Sequence, residues 1–197
     1  MPRIINAKDS LFFLIDVQSV FQPLIYNMPA LVSSANLLLK SMDKLDVPVL
    51  NSRHYPKAFG DTIEPLRSVL DTEIKVKPQQ IEKRLFSICT TDLDNYLKSH
   101  PDRKTVILAG IETHVCVMQS CLNLLDKGYK TVVVEDAVSS QRKYDREIAL
   151  NRMEKEGAIL TSAESLVYEL MVTSENPVFK NVLGFVKERN NTKEFFD

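Results

Sequence analysis

The sequence predicts a single α/β domain, residues 1–197, in which a mainly parallel sheet lies between two layers of helices (α/β/α). Three observations indicate this fold class. Short apolar runs such as "SLFFLIDV" and "TVILAG" are typical of strands that are buried on both faces. Segments with apolar residues at helical spacing alternate with these runs. The length suits one domain with a sizeable core, and no linker is visible.

The N-terminal half begins with the strand "SLFFLIDV", which ends at Asp16, and continues with a helix that has Pro29 in its first turn. The run "VPVLNS" is a second short strand. The segment Arg53 to Gln80 is irregular because prolines and a glycine interrupt it, and within it "TEIKVK" is typical of a strand. A helix with Thr91 or Asp92 as its N-cap is expected next.

The C-terminal half alternates more regularly. The strand "TVILAG" leads into a helix from about Val115 to Lys127, which Gly128 ends, and "YKTVVVEDA" is the next strand. A helix around Arg146 to Glu156, the short strand "AIL" and a helix opened by a capping box of Thr161 and Glu164 complete the pattern. We expect the polar tail "FVKERNNTKEFFD" to pack loosely or on another subunit.

Charge and composition exclude several classes of function. The 25 Lys and Arg residues balance 26 Asp and Glu residues, so a net charge of -1 gives no electrostatic basis for binding nucleic acid or an anionic membrane. No G-x-G-x-x-G motif or P-loop follows any predicted strand, and the chain has only 5 glycines, which argues against a nucleotide cofactor. We therefore expect a small-molecule substrate and no cofactor.

The cysteines and the N-terminal sequence indicate the compartment. Three cysteines are an odd number, and they lie in segments predicted to be buried or helical, which argues against a disulfide framework. No Cys-x-x-Cys pair occurs and the histidines lack ligand spacing, so no metal site is expected. The start "MPRIINAKDS" lacks the apolar run of a signal peptide, and no stretch approaches the roughly 20 apolar residues of a membrane span. We expect an intracellular, cytoplasmic protein, with mitochondrial association left open.

Polar residues follow several predicted strands. An open parallel sheet binds its ligand at the carboxyl ends of its strands, where the strand order reverses. The polar residues at those ends are Asp16, the segment Ser52 to His54, the segment Glu112 to Cys116, and Asp136. The site is expected among them.

Cys116 is the candidate nucleophile at this edge. Core filler is the ordinary interpretation of a cysteine, and it is kept for Cys89 and Cys121. Cys116 differs because it begins a helix directly after a strand, where free backbone N–H groups and the helix dipole favour a thiolate and could hold an oxyanion. Asp16 has two interpretations, a general base near the nucleophile or a cap of the following helix. His114 is an alternative base, although a residue two positions away on a tight turn is expected to point elsewhere.

Four stretches resemble a known family: "FLIDVQ", "RHYPKAFGDTIEPL", "EKRLFS" and "AGIETHVCV". They are similar to the isochorismatase-like, or cysteine hydrolase, superfamily, and within it to the eukaryotic isochorismatase domain-containing proteins. Their order and spacing extend the resemblance from about Ser10 to Met171. The resemblance implies a parallel sheet of Rossmann-like topology with helices on both sides, and hydrolase activity.

The hydrolases of this superfamily use an Asp-Lys-Cys triad, which the resemblance places on Asp16, Lys83 and Cys116. By its residue type alone, Lys83 would be a solvated charge. The implied oxyanion hole consists of the backbone N–H groups of Glu112 and Cys116. Similar proteins have a non-proline cis peptide at this turn, which corresponds here to the bond between Ile111 and Glu112.

The candidate substrate pocket and the reaction follow from the same resemblance. Its expected lining residues are Gln18, Phe21, His54, Tyr55 and Phe86. Nicotinamidases of the superfamily have metal ligands after the second strand, where this chain has "NSRHYPKAFG", so no metal is implied. Isochorismatases proper generally lack the cysteine, so Cys116 indicates acyl chemistry. We expect hydrolysis of a small amide, imide or related acyl substrate through a thioester at Cys116.

A pseudoenzyme or an oligomeric binding protein on the same fold is the alternative. Thiol reactivity would separate the two hypotheses, because a catalytic Cys116 is expected to alkylate much faster than Cys89 and Cys121 near neutral pH. A homo-oligomer, either a dimer or a tetramer, is expected because the segment Arg53 to Gln80 and the run "VFKNVLGFV" contribute hydrophobic surface.

Overall fold

The sheet is the centre of the structure, a computed structural model that describes residues 4–192. Its six strands lie in the order β3-β2-β1-β4-β5-β6, and every neighbouring pair is parallel. The strands are β1 Ser10–Ile15, β2 Val49–His54, β3 Gln79–Lys83, β4 Thr105–Ile111, β5 Lys130–Ser139 and β6 Ile159–Thr161. The predicted α/β class is confirmed, and the strand order reverses between β1 and β4.

Helices cover both faces of the sheet. They are α1 Met28–Lys44, α2 Pro56–Phe59, α3 Glu64–Ser68, α4 Thr91–Lys98, α5 Met118–Asp126, α6 Lys143–Lys155, α7 Ala163–Met171 and α8 Phe179–Asn190. One apolar cluster joins α1, α3, α7 and α8 to one face, and a second cluster joins α4, α5 and α6 to the other. Among residues 4–192, no helix is long and apolar enough to cross a membrane.

The packing of strand β1 explains why its sequence is apolar throughout. Phe12 and Leu14 pack in the cluster on the α1 side, while Leu11, Phe13 and Ile15 pack in the cluster on the α4 side. All five side chains are fully buried. Because successive side chains of a strand point to opposite faces, a central strand with helices on both sides needs an unbroken apolar run.

The third strand differs from the prediction. The expected strand "TEIKVK" is instead the end of a π-helical turn, Val69–Glu73, followed by irregular chain. The strand lies further on, at Gln79–Lys83, and forms the edge of the sheet. Only Ile81 and Lys83 are buried in it, so its single apolar residue left no alternating pattern to recognise.

Three predicted helix starts are shifted. The N-cap of α4 is Thr90, whose hydroxyl accepts from the N–H of Leu93 at 3.4 Å. Helix α7 is capped by Ser162, whose hydroxyl accepts from the Ser165 N–H at 3.3 Å, and not by the expected box of Thr161 and Glu164. A π-helical turn, Thr113–Val117, precedes α5. The caps of α4 and α7 are still hydroxyl residues, the type preferred at this position, whereas α5 has no side-chain cap.

The expected loose tail is largely ordered structure. Helix α8 packs against α1 and α7, and its residues Val182 and Val186 are buried in the core. The apolar residues recur at a spacing of four, which places them on one helical face. The remainder of the tail, residues 193–197, lies outside the described residues.

Gly110 allows the close approach of β1 and β4 beside the switch point. Its φ is +126°, and a Cβ atom built on it would lie 2.1 Å from the carbonyl oxygen of Ile15. We expect Gly110→Ala to lower the free energy of unfolding by about 3 kcal/mol or more, because the clash is with backbone and the φ value is strained for alanine. Urea denaturation measures this effect.

Gly184→Ala is the matched control, because a Cβ atom on this α8 residue would meet nothing within 4 Å. Alanine is the better helix former, so this variant is expected to gain about 0.5–1 kcal/mol. Equal stabilities of the two variants would contradict the proposed role of Gly110.

Candidate active site

The carboxyl ends of four strands carry the candidate residues to one edge of the sheet. Asp16 directly follows β1, His54 ends β2, Lys83 ends β3, and Cys116 lies in the turn after β4. The four strands are neighbours in the order β3-β2-β1-β4. Parallel pairing therefore brings together residues that are up to 100 positions apart in the chain, and with them all three residues of the implied triad.

Asp16 and Lys83 form a buried ion pair. Lys83 Nζ lies 2.5 Å from Asp16 Oδ2, and the side chains are 0% and 2% exposed. The same ammonium group donates to the carbonyl oxygens of Leu85 at 3.2 Å and Phe86 at 2.8 Å. An ammonium group has three N–H donors, so all three are used within the protein. The ammonium group of Lys83 is therefore bonded to Asp16 and to the loop after β3, and it has no free donor.

The Asp16 carboxylate is held on both oxygens. Its Oδ1 accepts from the Ser52 hydroxyl at 2.7 Å, while Oδ2 accepts from Lys83. The backbone of Asp16 has a φ of +52°, and its N–H donates to the Ser52 carbonyl at 3.2 Å. This left-handed conformation is uncommon for a residue other than glycine. Ser52 was named only as a strand-end residue, and its contact with Asp16 depends on the pairing of β1 and β2.

The Cys116 thiol lies against this carboxylate. Its side chain is buried, and its sulfur lies within 4.8 Å of an Asp16 carboxylate oxygen. Burial and the negative charge of Asp16 raise the pKa of Cys116 to about 12, against smaller lowering effects of Lys83 and the Glu112 backbone. The expectation that a helix start favours the thiolate is therefore wrong for the resting site, because α5 begins two residues later and burial outweighs its dipole.

The expectation that Cys116 alkylates much faster than Cys89 and Cys121 near neutral pH must also be revised. Burial raises the pKa of Cys89, and it raises the pKa of Cys121 to about 12. All three thiols are free, and none has a lowered pKa. Reactivity near neutral pH is therefore a poor test of which cysteine is the nucleophile.

The turn before Cys116 has the backbone geometry that the resemblance implies. The peptide bond between Ile111 and Glu112 is cis. The Glu112 backbone lowers the pKa of Cys116, as a nearby N–H group does for a thiol. The Glu112 carboxylate is directed elsewhere and accepts from the backbone and side chain of Gln141 at 3.0 and 3.3 Å.

Two strand-end candidates lie outside the triad cluster. His114 Nδ1 lies 2.9 Å from the Ser140 hydroxyl, so the ring has a partner other than the thiol, as expected for a tight turn. Asp136 accepts from Arg189 at 2.5 Å and from Ser34 at 3.1 Å. Its carboxylate joins α1 and α8 to β5 and has a structural role.

Gln18 fixes the position of His54 through the backbone. The Gln18 side chain is fully buried, and its Oε1 accepts from the His54 N–H at 2.7 Å. Its Nε2 donates to the carbonyl oxygens of His54 at 3.1 Å and Gly60 at 2.7 Å. Both N–H groups of the amide are used by these bonds, and the side chain is fully buried, so Gln18 positions the pocket wall.

Aromatic rings surround His54. Its imidazole stacks between Phe59 and Phe86, with ring centroids 5.6 Å apart on both sides and interplanar angles of 21° and 15°. Phe21 packs on Phe59 at 5.1 Å, and Tyr55 meets the same ring edge-on at 6.2 Å. Phe59 was not among the expected pocket residues. The sequence could have indicated Phe59, because it lies four residues after Tyr55 in the short helix α2 and therefore on the same side of the helix.

The His54 imidazole is neutral at physiological pH. Burial and the Lys83 charge lower its pKa from the ordinary value of 6.5. Its Nδ1 is buried and has no hydrogen-bond partner within the described part of the chain. The ligand atoms of Asp16, His54 and Cys116 all lie within 4.8 Å of one another. Spacing along the sequence did not indicate this group, because three separate strand ends supply one possible ligand each.

A separate groove of about 800 Å³ lies between α1 and α8, with contributions from the loop after β1. Its lining includes Ser33, Lys40, Phe185 and Arg189, but none of the triad residues. The groove contains no cysteine or histidine. Its size alone therefore does not mark it as the site of the chemistry.

The fold and the site define an α/β protein with a buried Asp-Lys-Cys constellation at the switch point of a parallel sheet. The model of the isochorismatase domain matches residues 10–165, and the chain belongs to the isochorismatase family. It is 39% identical over 189 residues to the secreted isochorismatase effector Isc1 of Phytophthora sojae, covering 95% of this chain and 89% of that protein.

Animal proteins are similar as well. The chain is 36% identical over 184 residues to isochorismatase domain-containing protein 2 of Xenopus laevis, covering 93% of this chain and 86% of that protein. The solved structure of the MAR1 ribonuclease from Caenorhabditis elegans superposes with a TM-score of 0.87 at 34% identity, covering 93% of this chain and 92% of that chain. The implied family membership and fold are confirmed.

The effect of Asp16 on the Cys116 thiol can be tested, because the direction of the expected pKa change is known. Asp16→Asn removes the negative charge that raises the pKa of Cys116, so the pKa should fall and more thiolate should exist at any fixed pH. Alkylation of Cys116 at pH 8 is expected to accelerate about tenfold for each unit by which the pKa falls. Residue-specific mass spectrometry after iodoacetamide treatment measures this rate.

Asp94→Asn is the control, because Asp94 is a half-buried residue of α4 that pairs with Lys127 at 2.9 Å. Its removal should leave the Cys116 alkylation rate unchanged. Slower alkylation in Asp16→Asn than in the wild type would contradict the contact between the carboxylate and the thiol.

Proposed function

We propose that the protein is a cysteine hydrolase that cleaves a small amide, imide or related acyl substrate through a thioester at Cys116. The observation that carries the proposal is the sulfur of Cys116 within 4.8 Å of the Asp16 carboxylate, which is itself paired with buried Lys83. Membership of the isochorismatase family supports a hydrolase. The three free thiols support a reducing, cytoplasmic setting.

Asp16 is the proton carrier in the proposed mechanism. It takes the thiol proton as Cys116 Sγ attacks the carbonyl carbon, and it gives that proton to the leaving nitrogen when the C–N bond breaks. The product is a thioester and a free amine or ammonia. Water then attacks the thioester while Asp16 takes its proton, and the proton returns to the sulfur as the acid leaves.

Attack and proton transfer are coupled in this mechanism. With a thiol pKa of about 12, a free thiolate at pH 7 would cost roughly 7 kcal/mol. A base in direct contact avoids this cost, because the sulfur loses its proton as the new bond forms. Lys83 acts through Asp16 by holding the carboxylate in place. The N–H groups of Glu112 and Cys116 are proposed to hold the oxyanion.

The pocket wall supports a small substrate with an apolar face. His54, Tyr55, Phe59 and Phe86 provide aromatic surface beside the thiol cluster, and Phe21 packs behind Phe59. Phe86 is half exposed and so is available to a ligand. Aromatic walls with few polar groups are typical of pockets for small planar or apolar acyl groups.

A panel of small amides and imides, assayed for ammonia or amine release, tests the proposal. We expect turnover of at least one member, and Cys116→Ser and Asp16→Asn should lower it about 1,000-fold or more because each removes an essential proton-transfer partner. Cys89→Ala is the control, since this half-buried thiol lies outside the triad cluster. It should retain the wild-type rate.

Two other outcomes would overturn the proposal. Absence of turnover across the panel would favour a pseudoenzyme or binding protein on the same fold. Hydrolysis of RNA that survives Cys116→Ser would favour the activity named for the Caenorhabditis elegans structure. Net charge argues against RNA binding, because the chain carries a formal charge of -1.

We further propose a homo-oligomer that covers exposed apolar side chains beside the site. These follow the carboxyl ends of β1, β3 and β5, and they are Val20, Leu24, Tyr26, Leu85, Phe86, Tyr144 and Ile148. The run "VFKNVLGFV", in contrast, contributes Val182 and Val186 to the core of its own chain and leaves less free surface than expected. Exposed apolar side chains at one edge of the sheet favour association with a second copy.

Sedimentation velocity at micromolar concentration should show a dimer or larger species. Tyr144→Glu combined with Ile148→Glu should shift it toward monomer, because both are exposed on the first turns of α6. Val172→Glu, at an exposed residue after α7, is the control and should leave the distribution unchanged, because the end of α7 lies at the other edge of the sheet, where Glu169 accepts from the Ile5 N–H. A wild-type protein that sediments only as a monomer would refute the oligomer.

A further inference from the structure

Three strand ends place three different metal-binding groups together. The ligand atoms of Asp16, His54 and Cys116 lie within 4.8 Å of one another. Zinc binds imidazole, carboxylate and thiolate at about 2.0–2.3 Å, so the ligands of a tetrahedral site are about 3.3–3.7 Å apart. A movement of about 1 Å would therefore close these side chains around the ion. We infer that this site also binds a thiophilic divalent cation, with Zn²⁺ as its reference ion, and that the bound ion inhibits the enzyme.

His54 is the second observation that points to a cation. Its Nδ1 is buried without a hydrogen-bond partner in the described part of the chain. Buried nitrogens are nearly always paired, so an unpaired nitrogen on a residue of this cluster is one that an ion pairs at little cost. The ring is already oriented, because Gln18 holds the His54 backbone and Phe59 and Phe86 hold the ring plane.

Lys83 determines the kind of metal site this can be. Its ammonium lies 2.5 Å from Asp16 Oδ2 and opposes a second cation nearby. Each carboxylate oxygen has two lone pairs, so Asp16 can contact an ion while it still accepts from Lys83 and Ser52. The opposing charge favours reversible binding over a permanently held metal. Catalysis accordingly needs no metal, and the ion acts as an inhibitor.

Inhibition follows from the chemistry of the sulfur. When Zn²⁺ binds, the Cys116 thiol loses its proton to solvent and the sulfur donates an electron pair to the metal. That pair is no longer available to attack a carbonyl carbon, and Asp16 is withdrawn from its role as base. The inhibitory effect rests on the proposed function, whereas binding of the ion does not.

Binding is tested on the full-length chain by competition for Zn²⁺ with a chromophoric chelator. We expect one site that His54→Gln weakens about 100-fold or more, since even residues that only support a zinc ligand contribute 10–100-fold to affinity. His100→Gln is the matched control, because this histidine lies on the loop between α4 and β4 and already has Tyr96 and Ser99 as partners. It should bind Zn²⁺ as the wild type does.

Protection of the thiol is a second readout that needs no substrate. Saturating Zn²⁺ should slow alkylation of Cys116 at least tenfold in the wild type and in His100→Gln, and much less in His54→Gln. Cys89 serves as the internal reference within each sample. Zinc binding that is unaffected by His54→Gln, or equal alkylation of Cys116 with and without zinc, would overturn the inference.

The activity readout uses whichever amide the panel identifies. Zn²⁺ should inhibit reversibly, with EDTA restoring the full rate, while EDTA alone and Mg²⁺ should have no effect because the ligand set is soft. Zinc sensitivity is expressed relative to the zinc-free rate of each variant. If no amide is turned over, the binding and protection readouts still decide the inference. Loss of turnover in EDTA alone would contradict it, because the metal would then be required.

Discussion

The buried ion pair of Lys83 and Asp16 constrains the site more than any other interaction. Both side chains are almost fully buried, at 0% and 2% exposure, and an unpaired charge there would cost several kcal/mol. The pair joins the ends of β3 and β1, which are not neighbours in the sheet, across the end of β2. The remaining donors of Lys83 hold the carbonyl of Phe86, and thereby the ring that stacks on His54. One lysine therefore positions the base and a wall of the pocket together.

Much of the fold was predictable from patterns within single elements. The strands β1, β4 and β5 are buried on both faces and so read as apolar runs, and the nucleophile candidate Cys116 directly follows one of them. Strand β3 was missed because its two buried positions are Ile81 and Lys83, and a lysine breaks the apolar pattern that identifies a strand. Lys83, which interrupts the apolar pattern of the strand, is the same residue that forms the ion pair with Asp16.

Contacts between elements could not be predicted in the same way. Ser52 and Asp16 meet because β1 pairs with β2, and His54 reaches the thiol because three strand ends share an edge. The sign of the pKa shift of Cys116 also depends on such contacts. A sequence shows that a helix follows the cysteine, but burial and the neighbouring Asp16 charge outweigh the helix dipole. These are properties of packing, which spacing along the chain does not encode.

The central claim is that Lys83 acts on the chemical step only through Asp16, and a double-mutant cycle tests it most directly. The values of kcat for Lys83→Met, Asp16→Asn and the variant that carries both changes are compared on the same amide, while the contacts of Lys83 with the pocket wall are read separately from KM. The account predicts that kcat of the double variant is no lower than that of Asp16→Asn alone, because the lysine has no role in proton transfer once the carboxylate is gone. Losses that multiply in the double variant would show that Lys83 contributes independently of Asp16, and would contradict the account.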